Sequence, residues 1–266
     1  MVTILGIDCS TNDKNVAVAA GSLDKGTLAV EEPVICGGPA GRAADVILKR
    51  LRPGEPTLLA MDAPLGWPSS LGPALSDHRA GLTIPIQANE LFRRTTDRMV
   101  KEVIDQQPLD VGADRIARTA HWALMLLGEL RSVTGQAIPL AWKPTDVTGI
   151  AAIEVYPAAT LKVRGISSVG YKKKEQEAAR RNIIAPLGRF ICLPLDLARL
   201  VECGDAIDAV VCVLAGADFL QACCVEPTDV RIAQREGWIW VKAPDTARGG
   251  SLTRRRSRRR TKPRHG

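Results

Sequence analysis

Two short apolar runs, residues 2–7 and 57–61, each stop at one aspartate, Asp8 and Asp62, and each then enters turn-forming residues. Runs of that length with such boundaries predict buried strands. A carboxylate at the end of a buried strand loses its hydration, so it needs a hydrogen-bond donor, a cationic partner or a bound cation. Taken singly, either acid is explained as a turn cap. A second acidic feature makes the same demand. Asp205 and Asp208 stand three apart at the start of a predicted helix over 205–221, on one helical face, ahead of the almost wholly apolar stretch 209–215. Two acids so placed repel each other, and a helix N-terminus offsets only ~0.3–1 kcal/mol per charge. An N-capping Asp205 with Asp208 favouring the helix dipole explains the pair by itself about as well as function does. All four acids together favour a shared site.

Oxygen ligands without histidine or cysteine nearby select Mg²⁺ or Mn²⁺ over zinc. Two such ions ~3.5–4 Å apart would serve an in-line displacement at a phosphodiester. The chain has only three histidines and seven cysteines, none in a CxxC pair, so the usual zinc spacings are missing. Cys203, Cys212, Cys223 and Cys224 read as small buried hydrophobes in a reducing compartment.

The first 62 residues read β-β-β-α-β, with strands over 2–7, 15–20, 27–36 and 57–61 and a helix over 43–51. Proline-rich loops and helices over 89–104 and 113–133 fill residues 63–149, expected to be a helical insertion after strand four. A strand over 150–156, a helix opened by Pro157, a charged helix over 171–184 and a last short strand over 238–241 complete the pattern. The expectation is one α/β domain over residues 1–245, a mixed five-stranded sheet with three antiparallel N-terminal strands, flanked by helices. No apolar run reaches the ~20 residues that span a bilayer, and the N-terminus lacks the pattern of a signal peptide. A cytoplasmic protein without membrane contact is expected.

The net charge of +7 is carried by residues 251–266, which hold seven Arg, one Lys and no acid; without those eight cations the other residues sum to −1. Such a run cannot bury a core, so residues 246–266 are expected to be a disordered tail that contacts nucleic-acid phosphates.

The order of Gly6-Ile7-Asp8-Cys9-Ser10, Asp62 and the late Asp205-Ala206-Ile207-Asp208-Ala209 resembles the RNase H-like superfamily, and the paired helix acids resemble its Holliday-junction resolvase branch. Together with residues 62–68, Arg94-Thr95-Thr96-Asp97, residues 154–159, Tyr171-Lys172 and Glu236-Gly237-Trp238-Ile239, the body over about residues 2–241 is similar to a bacterial family of unknown function predicted to be RNase H-like nucleases. The resemblance implies an RNase H-like fold and metal-dependent cleavage of DNA or RNA. On this reading Asp8 bridges two ions, Asp62 and Asp208 each ligate one, and Asp205 completes the set or orients water. Resolvases carry Glu where Asp62 stands, so one ligand is shorter here. Glu154 is expected as a fifth carboxylate at the rim, or else as an exposed strand acid. Arg94, with Asp97 one turn on, is expected either to contact the scissile phosphate or to form a surface ion pair. Tyr171 and Lys172, with the lysines that follow, are expected either at a backbone phosphate or at a solvated helix start. A junction-cutting enzyme would need a homodimer. The rival readings are an RNase H-like nucleic-acid binder without catalysis and an actin- or sugar-kinase-like phosphotransferase. The second lacks the expected phosphate-loop glycine after Asp8 and a second domain.

Overall fold

Alternation along the strands decides what each face of the central sheet carries. In the computed structural model, which describes residues 1–52, 54–112, 114–173 and 175–245, strands β1 (Val2–Asp8), β2 (Ala17–Asp24) and β3 (Thr27–Val30) form an antiparallel meander. A two-residue β4 (Val34–Ile35) returns to β2, while β5 (Thr57–Asp62) and β6 (Ile150–Glu154) extend the sheet in parallel on the other side of β1. The order is β3-β2-β1-β5-β6, a mixed sheet of six strands rather than the five expected. The extra strand arises because the run 27–36 is not continuous. Glu31-Glu32-Pro33 interrupts it, and a proline cannot donate to a ladder. The segment 238–241 makes only a single parallel bridge, Ile239 to Glu154, and is not a strand. The Arg-rich tail lies outside the described residues.

Helices follow as α1 (Ala43–Leu48), α2 (Leu71–Ser76), α3 (Ala88–Phe92), α4 (Thr95–Ile104), α5 (Asp114–Thr134), α6 (Pro157–Lys162), α7 (Glu177–Leu187), α8 (Ala198–Glu202), α9 (Gly204–Leu220) and α10 (Val230–Glu236). The helix expected over 89–104 breaks before Thr95, because Arg94 leaves helical geometry and its own N–H binds Asp97 Oδ2 at 2.8 Å. The helix expected from residue 171 starts only at Glu177, and residues 171–173 form a turn behind Gly170, whose φ is 76°.

Ile4, Leu58 and Ala60 face α9 in one core layer, whereas Leu5, Ile7, Leu59 and Met61 face the other way, against Val46 and Ile47 of α1 and Ala123, Leu127 and Leu130 of α5. By the same period of two, Asp8 and Asp62 leave the sheet on the α9 face. The segment 63–149, expected as an insertion, thus supplies through α5 part of the second core layer. The four helix-associated cysteines are not all buried: Cys212 is, while Cys203, Cys223 and Cys224 are partly exposed. Among the described residues no helix is long and apolar enough to cross a membrane.

Helix α9 lies unusually close to β1. A Cβ on Gly6 would stand 2.1 Å from the Ala209 carbonyl oxygen and 2.7 Å from the Val213 nitrogen; one on Gly216 would stand 2.6 Å from Ile4 Cγ2. Both obstacles at Gly6 are backbone, so Gly6→Ala must lift the helix. Overpacking of this kind costs about 1–3 kcal/mol. We expect a lower denaturation midpoint in Gly6→Ala, because α9 must move away from β1. A variant with an unchanged midpoint would contradict this account of the packing.

Candidate metal centre

Parallel pairing of β1 with β5 sets Asp8 directly beside Asp62, both at the carboxyl ends of their strands. The close seat of α9 then brings Asp208 down from its first turns. One carboxylate oxygen from each of Asp8, Asp62 and Asp208 lies within 4.8 Å of the other two. Asp8 and Asp208 are buried and Asp62 is partly open. Asp205 does not join this group and is only half-buried. Three residues along a helix turn a side chain by about 60° from its neighbour's direction and shift it about 4.5 Å along the axis. When Asp208 points at the sheet, Asp205 therefore stands to the side. Its charge still pushes Asp8 and Asp208 towards the protonated form.

Tyr171 and Lys172 lie against this group rather than in a solvated helix start. The Tyr171 hydroxyl donates to Asp208 Oδ1, and the Lys172 ammonium lies 2.5 Å from Asp208 Oδ2 and 3.7 Å from Asp8 Oδ1. Oδ2 of Asp208 is fully buried and accepts no hydrogen bond of regular geometry; the ammonium is its ionic neighbour. The backbone that presents these two side chains is fixed from below. Arg180, buried on the apolar face of α7 with Ile183, Ile184 and Leu187, donates to the carbonyls of Tyr171, Lys173 and Val201. Sequence reading overlooked Arg180, although its 180-183-184-187 spacing with apolar residues was a signal of burial.

Burial raises the carboxyl of Asp8 well above its ordinary value; Lys172 opposes the rise, and Asp208, Asp62 and Asp205 add to it. Asp62 is pushed up to about 7, again first by desolvation, with Lys172 opposing and Asp208 and Glu154 reinforcing. Asp208 is raised for the same leading reason, against the pull of Lys172 and Tyr171. Cys9, beside this group, is a buried thiol whose pKa burial drives well above the usual range.

The surface ion pair expected for Arg94 and Asp97 and the exposed strand acid expected at Glu154 need correction, since all three residues are buried. Glu154 is opposite Met61 in the β5–β6 register and lines the same cleft as Asp8 and Asp62. There it meets Arg94. The guanidinium binds Asp97 through Nε (3.1 Å) and Nη2 (2.8 Å), Glu154 through Nη1 (2.8 Å) and Nη2 (2.7 Å), and the Glu236 carbonyl through Nη1 (3.2 Å). All five donors of the fork are used, which leaves none for a phosphate. Burial pulls this guanidinium down, but Glu154 and Asp97 more than reverse it, so Arg94 is fixed as a cation. Glu154 also accepts the Leu65 N–H, and the Glu236 carboxylate accepts from Ser69 and from the Thr95 N–H. A Cβ on Gly237, at φ 84°, would meet Glu154 and Arg94 at 2.9 and 3.0 Å. Four separated motif segments thus meet in one polar knot that ties the loop after β5 and α4 to β6 and α10. Nothing in the sequence separates such a structural cluster from a binding one, since both require charged residues among apolar neighbours.

Asp8 and Asp62 open into a cleft of about 300 Å³, with Asp208 buried behind them. Its floor is Asp8, Asp62 and Lys172; Arg94 and Glu154, and Leu109, Arg115 and Ile116 from the segment between β5 and β6, line other parts of it. When ionised, the three carboxylates offer hard oxygen donors within 4.8 Å of one another, a group that could hold a divalent metal ion.

Residues 6–231 match a family described as "Protein of unknown function (DUF429)". No curated protein and no solved structure matches the chain.

Proposed function

We propose, from the premise that the chain belongs to the DUF429 family of proteins of unknown function, that it is a divalent-cation-dependent nuclease with an RNase H-like core. The observation that carries this reading is the convergence of Asp8, Asp62 and Asp208, distant in sequence, to within 4.8 Å. The strand order, an antiparallel trio continued by two parallel strands, supports the RNase H-like assignment made from the motifs.

Asp8, Asp62 and Asp208 would hold the cation, which supplies positive charge for the developing charge at a phosphodiester. The chain's own residues do the rest. Tyr171 holds the orientation of Asp208, and Lys172 adds a cation at the floor of the cleft. Leu109, Arg115 and Ile116 line the approach to the floor. When ionised, the three acids outnumber the one lysine, which suits a cation better than a bare phosphate and favours an ion-dependent enzyme over a simple phosphate binder. Residues 251–266 add a basic arm for the nucleic-acid backbone.

The direct test is purified full-length protein with Mn²⁺ against single- and double-stranded DNA, RNA, hybrid and branched substrates. Cleavage that vanishes with chelator is expected; inertness on the whole panel would refute the proposal. The ionisation of Asp62 adds a pH dependence. Its folded-state pKa, about 7, exceeds the ~3.9 of an unfolded aspartate. Ionisation there therefore removes stability from the ion-free protein as pH rises across that interval, and a bound cation restores it. The rise in melting temperature produced by Mn²⁺ should be small at pH 5.5 and large at pH 8. An ion-induced shift that is flat or falls with pH would contradict a carboxylate site of this kind.

A further inference from the structure

The floor of the cleft carries a cation of its own. We infer that Lys172 is a built-in positive charge that takes the place of a second metal ion, so that the centre binds one divalent ion per chain. The inference rests on the reading of the carboxylate group as a cation site. It departs from the two-ion arrangement that four acids would suggest.

The first argument is position. The ammonium is 2.5 Å from Asp208 Oδ2 and 3.7 Å from Asp8 Oδ1, which places it between two of the three grouped carboxylates. Position alone is weak for a side chain that is half exposed, because a surface lysine reaches for whatever acid is near. The second argument is that its backbone is not free to wander. Tyr171, one residue before, is buried and bonded to Asp208, and Arg180 donates to the carbonyls on either side of Lys172, those of Tyr171 and Lys173. Lys172 Cα would lie 3.1 Å from a Cβ on Gly204, so the turn rests directly on the start of α9. Three buried or closely packed groups hold one exposed lysine over the acids, more than a surface charge requires.

The third argument is charge. The grouped acids carry three negative charges when ionised and Lys172 carries one positive charge, which leaves the equivalent of one divalent cation to be supplied. With Asp205 outside the group, no fourth carboxylate among the described residues joins it to hold a second ion against the ammonium's repulsion.

The experiment is Mn²⁺ binding to the full chain at pH 8, by titration calorimetry and by the spin-resonance signal of free Mn²⁺. Wild type, Lys172→Met, Lys172→Gln and Lys172→Arg are compared, each first checked for a cooperative melt. We expect one ion per wild-type chain. The neutral variants should bind the first ion about tenfold tighter or more, and Lys172→Arg, which keeps the charge, should behave as wild type. Two ions per wild-type chain would overturn the inference. So would neutral variants with a smaller gain, or an equal gain in Lys172→Arg, which would trace the effect to side-chain shape. The gain in ion affinity is a readout that a merely structural lysine would not give. A wild-type chain that binds no Mn²⁺ at all refutes the centre itself, an outcome distinct from the failure of Lys172.

Discussion

Replacement of Asp8 by asparagine is expected to lower Mn²⁺-dependent cleavage by on the order of 10³-fold or more and to abolish tight Mn²⁺ binding, while the protein stays folded. Asp8 is the buried member of the group that touches both sides of the site: its strand partner is Asp62, and its other neighbour is the Lys172 ammonium. Asparagine keeps the shape and one oxygen but brings no charge, so ion affinity falls. Folding responds in the opposite direction. Burial raises the Asp8 carboxyl well above its ordinary value, so ionising it in the folded state costs stability. A raised folded-state pKa gives a contribution that is present at low pH and lost as pH climbs through it. An asparagine does not titrate. At pH 8 without metal, Asp8→Asn should therefore melt no lower than wild type. Retained ion-dependent cleavage would remove Asp8 from the centre. A folded protein with both activity and stability lost together would show that the residue matters for structure alone.

Removal of Arg94 is expected to do the reverse: a large loss of stability. Arg94→Met leaves Asp97 and Glu154 buried and facing each other without a cation. Breaking a buried ion network on one side costs about 3–5 kcal/mol, a large part of the 5–15 kcal/mol that typically holds a domain together. A fall in melting temperature of roughly 10 °C follows for a chain of this size. The penalty comes mainly from the stranded carboxylates, so adding Asp97→Asn and Glu154→Gln to Arg94→Met should recover much of it. Arg94→Lys should recover little, since an ammonium has three donors where the fork uses five. A variant that melts like wild type but binds nucleic acid weakly would restore the phosphate-contact reading of Arg94.

These two expectations mark how far the sequence could be read. Asp8, Asp62 and Asp208 were legible because each follows or precedes an apolar run, and a carboxylate in that setting needs a compensating charge. Asp205 has the same local signature as Asp208 and was indistinguishable from it, because the difference is about 60° of rotation on a helix whose facing was unknown. Arg94 and Lys172 were both named as cations for a phosphate, yet one is consumed by two buried acids and the other sits among the grouped carboxylates. Their sequence settings do not differ in any way that predicts this. Arg180 had a detectable signal in its apolar spacing and went unused.

Local chemistry determined the elements and their hydrophobic faces: the alternation in the strands, the apolar run of α9 and the proline that splits 27–36 are properties of neighbouring residues. The burial of Asp8 also followed, since an acid at the end of an apolar strand is carried inward with it. Only the tertiary structure decided which charges neutralise which. That outcome depends on the register that sets Glu154 opposite Met61, and on the glycines that let α9 descend onto β1. Electrostatic pairing depends on distances of a few ångströms between residues far apart in the chain, and no local pattern encodes such distances.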